Sequence, residues 1–213
     1  MALSKVNFNS MNVTPAASKA IKFNSSNNGL ETGDIGGNLV LISTTTASSS
    51  STIDITSGID STYKEYQVHF TDVHPATDNT HFQVNFRDGS TAFDATKTTT
   101  YFRAFHNEAD GTTGVAYDDT VDLAQSTGIQ VISQGVGSDN DQCCAGILQL
   151  FDPSSTTFVK HFIFRGNRTL SSDFTVDDYV AGYCNTTTAI DGIQFSFASG
   201  NIDAGTFKLY GVL

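Results

Sequence analysis

The chain has 213 residues, enough for one large domain, and its net charge is −11 although only 15% of its residues are charged. The few Lys and Arg residues form no basic stripe, which argues against binding to nucleic acid or to an anionic membrane. No apolar run is long enough to cross a bilayer, and the start lacks the apolar segment of a secretory signal, so we expect synthesis in a cytoplasm.

The first region of the sequence, residues 1–37, is rich in Asn, Ser and Gly and shows no sustained hydrophobic period. Apolar residues such as Ile21 and Phe23 are too few to build a core by themselves. We expect an extended N-terminal arm that serves as a docking segment, either disordered alone or ordered by its partner. Residues 38–213 are expected to form the folded domain.

Beyond this arm, short segments with alternating apolar and polar residues follow one another along the chain. A typical one places Phe82, Val84 and Phe86 on one face, as in antiparallel strands that cover a single core. The Thr/Ser tract after residue 43 is expected to be a loop or a polar edge. Predicted strands lie within residues 39–43, 51–57, 62–70, 81–86, 99–105, 128–133, 143–151, 157–165, 178–184, 192–198 and 206–212.

The spacing of these segments, with Gly, Asn, Asp and Pro in the connections, predicts the fold class. About ten short strands and no helical period indicate an all-β protein, an antiparallel β-sandwich of jelly-roll type. The last two predicted strands are expected to face one core with Ile193, Phe195, Phe197, Phe207, Leu209 and Leu213.

Motifs for catalysis or metal binding are not evident. The sequence has no nucleophile elbow, and its five histidines lack the spacing of a zinc site. Cys143, Cys144 and Cys184 fit neither a disulfide framework nor a zinc motif, so we expect buried free thiols. The acidic stretches around Asp139 and Asp177 suit either tight turns or calcium. We predict no enzyme activity, no metal and no cofactor.

Three long polar loops are the candidates for ligand contact, at residues 72–80, 106–119 and 135–142. Binding residues are often found on such turn-rich connections because a rigid scaffold positions them. The candidate contact residues are His74, Asp78, Asn79, His106, Asn107, Glu108, Asp110, Asp139, Asn140 and Asp141.

Two blocks, FDPSSTTFVKH at residues 151–161 and GNIDAGTFKLYG at residues 200–211, carry a family resemblance. With neighbouring segments they resemble small virion-associated proteins of tailed bacteriophages, especially marine cyanophages. The resemblance covers residues 38–213 and not the predicted arm. It implies a structural, non-enzymatic β-domain on the phage particle, without catalytic residues to transfer.

The expected function is therefore that of a virion structural protein made in the host cytoplasm. As a tail-fibre-like adhesin, it would dock on other virion proteins through residues 1–37 and present the sandwich to a host surface glycan or protein. A capsid decoration protein is the close alternative, and a polysaccharide-degrading enzyme with paired carboxylates is the second. We expect a homotrimer, since jelly rolls commonly assemble around a threefold axis.

Overall fold

The computed structural model describes residues 13–14, 19–26, 28–34 and 37–213 of the chain. These residues belong to two units, one within residues 1–38 and the other from Leu39 to Leu213. The named elements of both units are all β-strands. No helix that is long and apolar enough to span a membrane occurs in the described ranges.

The first unit contains an antiparallel hairpin of strands β1 (Lys19–Phe23) and β2 (Leu30–Asp34). The side chain of Phe23 is 72% exposed, so the hairpin buries little apolar surface of its own. The extended arm predicted for residues 1–37 is not confirmed, because this part of it folds back on itself. Residues 1–12, 15–18, 27 and 35–36 of the predicted arm lie outside the described residues.

The second unit is built from twelve antiparallel strands that are hydrogen-bonded into one continuous sheet. This sheet has two parts, which we call the large sheet and the small sheet. The strands are β3 (Leu39–Ser50), β4 (Ile53–Ile55), β5 (Glu65–Pro75), β6 (Thr80–Arg87), β7 (Lys97–Asn107), β8 (Thr113–Tyr117), β9 (Gln130–Val136), β10 (Cys144–Phe151), β11 (Lys160–Leu170), β12 (Phe174–Cys184), β13 (Gly192–Phe197) and β14 (Ile202–Val212). The large sheet has the order β8-β7-β12-β11-β10-β5-β14-β3, and the small sheet has the order β4-β13-β6-β9. The sheets join where Leu170 of β11 lies opposite Val136 of β9.

A layer of phenylalanine rings fills the space between the two sheets. Phe70 and Phe207 project from the large sheet, Phe82 and Phe195 project from the small sheet, and none is more than 1% exposed. The ring centroids of Phe70 and Phe82 are 5.3 Å apart, and those of Phe195 and Phe207 are also 5.3 Å apart. Such face-to-face packing of two apolar sheet surfaces is the main stabilising element of a β-sandwich.

The predicted antiparallel β-sandwich is confirmed, and most of the predicted core faces are correct. Of the residues that were expected to face the core on the last two strands, Ile193, Phe195, Phe197, Phe207 and Leu209 are buried. The expectation for Leu213 is wrong, since its side chain is 76% exposed and β14 ends at Val212. The jelly-roll type is not confirmed, because the consecutive strands β10, β11 and β12 are neighbours within one sheet.

The three predicted contact loops are shorter than the sequence suggested, because strands continue into them. Within residues 72–80, β5 runs to Pro75, and the range 106–119 contains the whole of β8. The loop predicted at 135–142 begins inside β9. The Thr/Ser tract is likewise strand, since β3 continues to Ser50 at the polar edge of the large sheet. Thr has a high β propensity, and the backbone of this tract pairs with β14. A polar sequence pattern does not reveal such a pairing with a strand that is distant in sequence.

Replacing Phe195 by Asp should abolish soluble expression of the folded protein, because an unpaired carboxylate would enter the phenylalanine layer. The matched control is Phe158→Asp, which changes a phenylalanine that is 70% exposed and should leave the protein folded. Soluble yield and circular dichroism of the two variants measure the difference. A folded Phe195→Asp variant would show that the inward assignment of β13 is wrong.

Candidate ligand-binding site

The outer face of the large sheet carries a row of planar side chains that crosses four strands. The row consists of Tyr117 (β8), Phe102 (β7), Tyr179 (β12) and Arg165 (β11), each directly opposite the next. The rings of Phe102 and Tyr179 are stacked, with centroids 4.6 Å apart and an interplanar angle of 2°. The guanidinium of Arg165 lies 5.0 Å from the centroid of the Tyr179 ring. We call this row the aromatic ridge.

A groove of about 550 Å³ lies beside the aromatic ridge, and we call it the outer groove. It is lined by Ala104, Phe105, His106, Thr113, Gly114, Val115, Asn167, Thr175 and Asp177. Ala104 is small and leaves space between the longer polar side chains, whereas a side chain at Gly114 would meet the ring of Phe105. The volume lies in the usual range for small-molecule sites, about 300–1,000 Å³.

Asn167 offers an unused acceptor in the outer groove. Its Nδ2 donates to Oγ1 of Thr175 (3.0 Å) and to the backbone carbonyl of Val176 (3.1 Å). Asn167 is exposed, and its Oδ1 accepts no hydrogen bond from any residue that the structure describes, so this oxygen is open to solvent or to a ligand. A hydroxyl group of a ligand can therefore donate to this oxygen.

Asp177 is the charged group of the outer groove, and its charge is compensated. Nη2 of Arg165 and the hydroxyl of Tyr179 each donate to Oδ2 of Asp177 at 2.9 Å. Burial tends to raise the pKa of Asp177, but the hydrogen bonds from Arg165 and Tyr179 outweigh it and hold the pKa below its usual value. The carboxylate therefore stays ionised at neutral pH, and the adjacent guanidinium balances it.

The predicted contact loops come together at one end of the second unit. Nε2 of His74 is 3.1 Å from the backbone carbonyl oxygen of Ser138, which links the first loop to the third. Nε2 of Gln142 and the backbone N–H of Glu108 both bond to Asp173, at 3.2 and 3.0 Å. The turn between β11 and β12 thus connects the second loop to the third.

Several of the predicted contact side chains accept hydrogen bonds from backbone N–H groups within a loop or between two loops. Oδ1 of Asn107 accepts two backbone N–H groups of its own turn, at 2.9 and 2.7 Å, and Oδ1 of Asp78 accepts the N–H of Ser138 at 3.2 Å. Asn79 and Asp110 have φ of 53° and 55°, which Asn and Asp tolerate better than most residues. The exposed residues of the third loop are Asp139, Asn140 and Asp141.

Of the ten predicted contact residues, His106 lines the outer groove, and its Nε2 is 3.0 Å from Oδ1 of Asp110. Ligand contact by the loops stays a prediction. Sequence reasoning missed Asn167 and Thr175 and considered Asp177 only for a turn or a calcium loop, whereas all three lie on β11 and β12. The predicted strands 157–165 and 178–184 stopped short of these residues, so no alternating pattern placed them on a face of the sheet.

A charged network lies on the inner face of the same strands. Arg168 and Asp178 both have side chains that are 0% exposed, with Nη1 of Arg168 3.5 Å from Oδ2 of Asp178. The hydroxyl of Tyr101 donates to Oδ1 of Asp178 at 2.6 Å, and Arg168 Nη1 donates to the backbone carbonyl of Gln134. Burial, opposed by the charge of Arg168, raises the pKa of Asp178 to about 6.

Metal and thiol chemistry have little geometric support in the described residues. Among them, no group of three His, Cys, Asp or Glu side chains is arranged to hold a metal ion. All three cysteines are free thiols, as predicted, although Cys143 is only half-buried. Burial raises the pKa of Cys184 to about 12, so this thiol is unreactive at neutral pH.

Comparison with family models, curated proteins and solved structures finds no match to the chain. The resemblance to virion proteins therefore stays a prediction. Function has to be inferred from the outer groove and its surroundings.

Replacing Asp178 by Asn should flatten the pH dependence of stability. The folded-state pKa of about 6 lies above the value of about 4 for an unfolded Asp, so the folded state binds the extra proton. The stabilising effect of that proton is complete below about pH 4 and is lost as pH rises through about 6, a change of up to about 3 kcal/mol.

At low pH the protonated Asp178 and the Asn side chain are both neutral, so the two proteins should have similar stability there. As pH rises from about 4.5 to about 7.5, the wild type should lose unfolding free energy relative to the Asn variant, measured by urea unfolding at each pH. A wild type that keeps or gains stability relative to the Asn variant over this range would contradict the raised pKa.

Proposed function

We propose that this protein is a structural component of a bacteriophage virion that binds a neutral host-surface glycan in the outer groove. The observation that carries the binding role is the combination of an unused acceptor on Asn167 and the hydroxyl of Thr175 with the apolar surfaces of Ala104 and Val115. Sugar rings present hydroxyls and apolar C–H faces together, and a groove of this kind satisfies both.

Charge favours a neutral glycan over an acidic one. The net charge of −11 repels polyanions at long range, and Arg165 is already paired with Asp177 and so offers no free cation to an acidic sugar. A neutral ligand avoids this repulsion and still uses the hydrogen-bonding groups of the outer groove.

The virion part of the proposal rests on the family resemblance. Its two clearest blocks are residues 151–161 and 200–211. The second block covers all but the last residue of β14, which lies between β3 and β5 in the large sheet. Residues 1–37 are the docking segment in this proposal, and the sandwich is the displayed part, as in a tail-fibre-like adhesin. The protein would be found in the virion after synthesis in the host cytoplasm.

A capsid decoration protein is the second candidate, and the two edges of the large sheet favour it. Val115 and Tyr117 on the edge strand β8 are 75% and 58% exposed, and Leu41 on the opposite edge strand β3 is 52% exposed. Contact between unlike edges of neighbouring copies would cover these side chains. Repeated head-to-tail contact closes into a ring, such as a homotrimer, when the rotation between neighbouring copies divides a full turn evenly.

Asn167→Ala should weaken binding to neutral host-envelope polysaccharide about tenfold, because the ligand loses one hydrogen bond and the amide that orients Thr175. The matched control is Gln194→Ala on the outer face of the small sheet, where the amide donates to Oδ1 of Asp54 at 2.9 Å. Binding is measured by isothermal titration with purified polysaccharide fractions.

Equal loss of binding in both variants, or no binding by the wild type, would contradict the glycan role. Release of reducing sugar by the wild-type protein would instead support the polysaccharide-degrading enzyme, because a binding protein leaves its ligand intact.

Labelled antibody against the second unit should mark the tail of intact particles, and quantitative gel analysis should give tens of copies or fewer per virion. Hundreds of copies on the head would support capsid decoration in place of the adhesin. Absence of the protein from purified particles would contradict both virion roles. It would not affect the glycan-binding test, because that test uses the purified protein alone.

A further inference from the structure

A further groove, of about 440 Å³, lies on the outer face of the large sheet on the other side of the aromatic ridge, and we call it the second groove. It is lined by Thr98, Thr99, Thr100, His161, Phe162, Ile163, Ala181, Gly182 and Tyr183. A hollow of about 150 Å³ beside Phe102 and Tyr179 extends this groove up to the ridge. The outer face therefore carries two grooves in line along the strands, with the aromatic ridge between them.

Strand β11 shows how the two grooves are aligned. Its exposed residues alternate with buried ones and are, in order, His161, Ile163, Arg165 and Asn167. The first two line the second groove, Arg165 belongs to the aromatic ridge, and Asn167 lines the outer groove. His161 and Asn167 lie about 20 Å apart along this strand, at the usual rise of about 3.4 Å per residue. A ligand that contacts both grooves must therefore be extended.

The second groove combines available polar groups with apolar surface. The ring nitrogens of His161 have no hydrogen-bond partner among the described residues, so in the neutral ring one can donate to a ligand and the other can accept. The hydroxyl of Tyr183 accepts a hydrogen bond from Nε2 of Gln125 at 3.3 Å, and its own hydrogen stays available to a ligand. Ile163, which is 44% exposed, and Ala181 supply the apolar surface.

Charge and backbone pairing favour a neutral glycan chain in the second groove. None of the residues that line it is Asp, Glu, Lys or Arg, so it offers no ion-pair partner to a charged chain. Strands β7, β11 and β12 each lie between two other strands, and so they have no open edge on which an extended peptide could add a strand. A glycan needs no such edge, because its hydroxyls and C–H faces contact side chains.

We propose that the glycan is a linear neutral chain that runs along the strands from the outer groove, over the aromatic ridge and into the second groove. This inference rests on the proposed function and adds the form of the ligand. The side chain of Phe102 is 42% exposed and offers apolar surface to the sugar unit that crosses the ridge. Contacts in the second groove add affinity efficiently, because a chain held in the outer groove is already close to them.

The probe for chain length is neutral host-envelope polysaccharide, partially hydrolysed, separated by size and titrated by calorimetry into the full-length protein. A disaccharide cannot reach both grooves, so affinity should rise about tenfold or more from the disaccharide to fragments that span about 20 Å. A disaccharide that binds as tightly as the longer fragments would overturn the extended path and leave the binding role of the outer groove intact. No binding of any fraction would overturn both.

Ile163→Ser removes apolar surface from the second groove, so affinity for the long fragments should fall about fivefold while affinity for the disaccharide stays unchanged. The matched control is Ile147→Ser on the neighbouring strand β10, where the isoleucine is 40% exposed and lines neither groove, and it should change neither affinity. His161→Ala should act like Ile163→Ser, whereas Asn167→Ala should weaken binding of both lengths. Unchanged affinity of either second-groove variant for the long fragments, or an equal loss for the disaccharide, would overturn the path.

Discussion

The second unit depends on the phenylalanine layer that holds its two sheets face to face. Phe70 of β5 contacts Phe82, Phe195 and Phe207 and is stacked on Phe164 of β11, so five strands meet at one cluster. Farther across the large sheet, strands β7, β11 and β12 bury Tyr101, Arg168 and Asp178 in place of phenylalanines. The interior therefore changes from apolar to polar at these strands, and the outer groove lies on their opposite face.

Two consecutive aspartates show how the alternation of side chains along a strand places the same residue type in different environments. Asp177 points outward, where Arg165 and Tyr179 hydrogen-bond to its carboxylate and its pKa is lowered. Asp178 points inward, where burial dominates and its pKa is raised. The residue type is the same and the positions are adjacent, yet the environments differ because successive side chains face opposite sides of a sheet.

The strands and most of the core were predictable from the sequence because alternation is a local property of each strand. The aromatic ridge was not, since Phe102 and Tyr179 are distant in sequence and meet only through the register of β7 and β12. The inward position of Asp178 was also hidden, because a charged residue in an alternating pattern is ordinarily read as exposed. The predicted loop lengths were wrong for the same reason: β8 is a short segment without an alternating pattern, and only its pairing with β7 makes it a strand.

The position of β3 has a mechanical consequence in the proposed role. The chain enters the sandwich at Leu39, opposite Val212, and β3 then runs along β14 until Ser50 lies opposite Ile202 near the end of the sheet that carries the loops. Tension between a ligand held toward that end and an attachment through the first unit would pull β3 along its own axis. The hydrogen bonds between β3 and β14 would then share the force and resist it together, whereas a strand peeled away sideways breaks them one at a time.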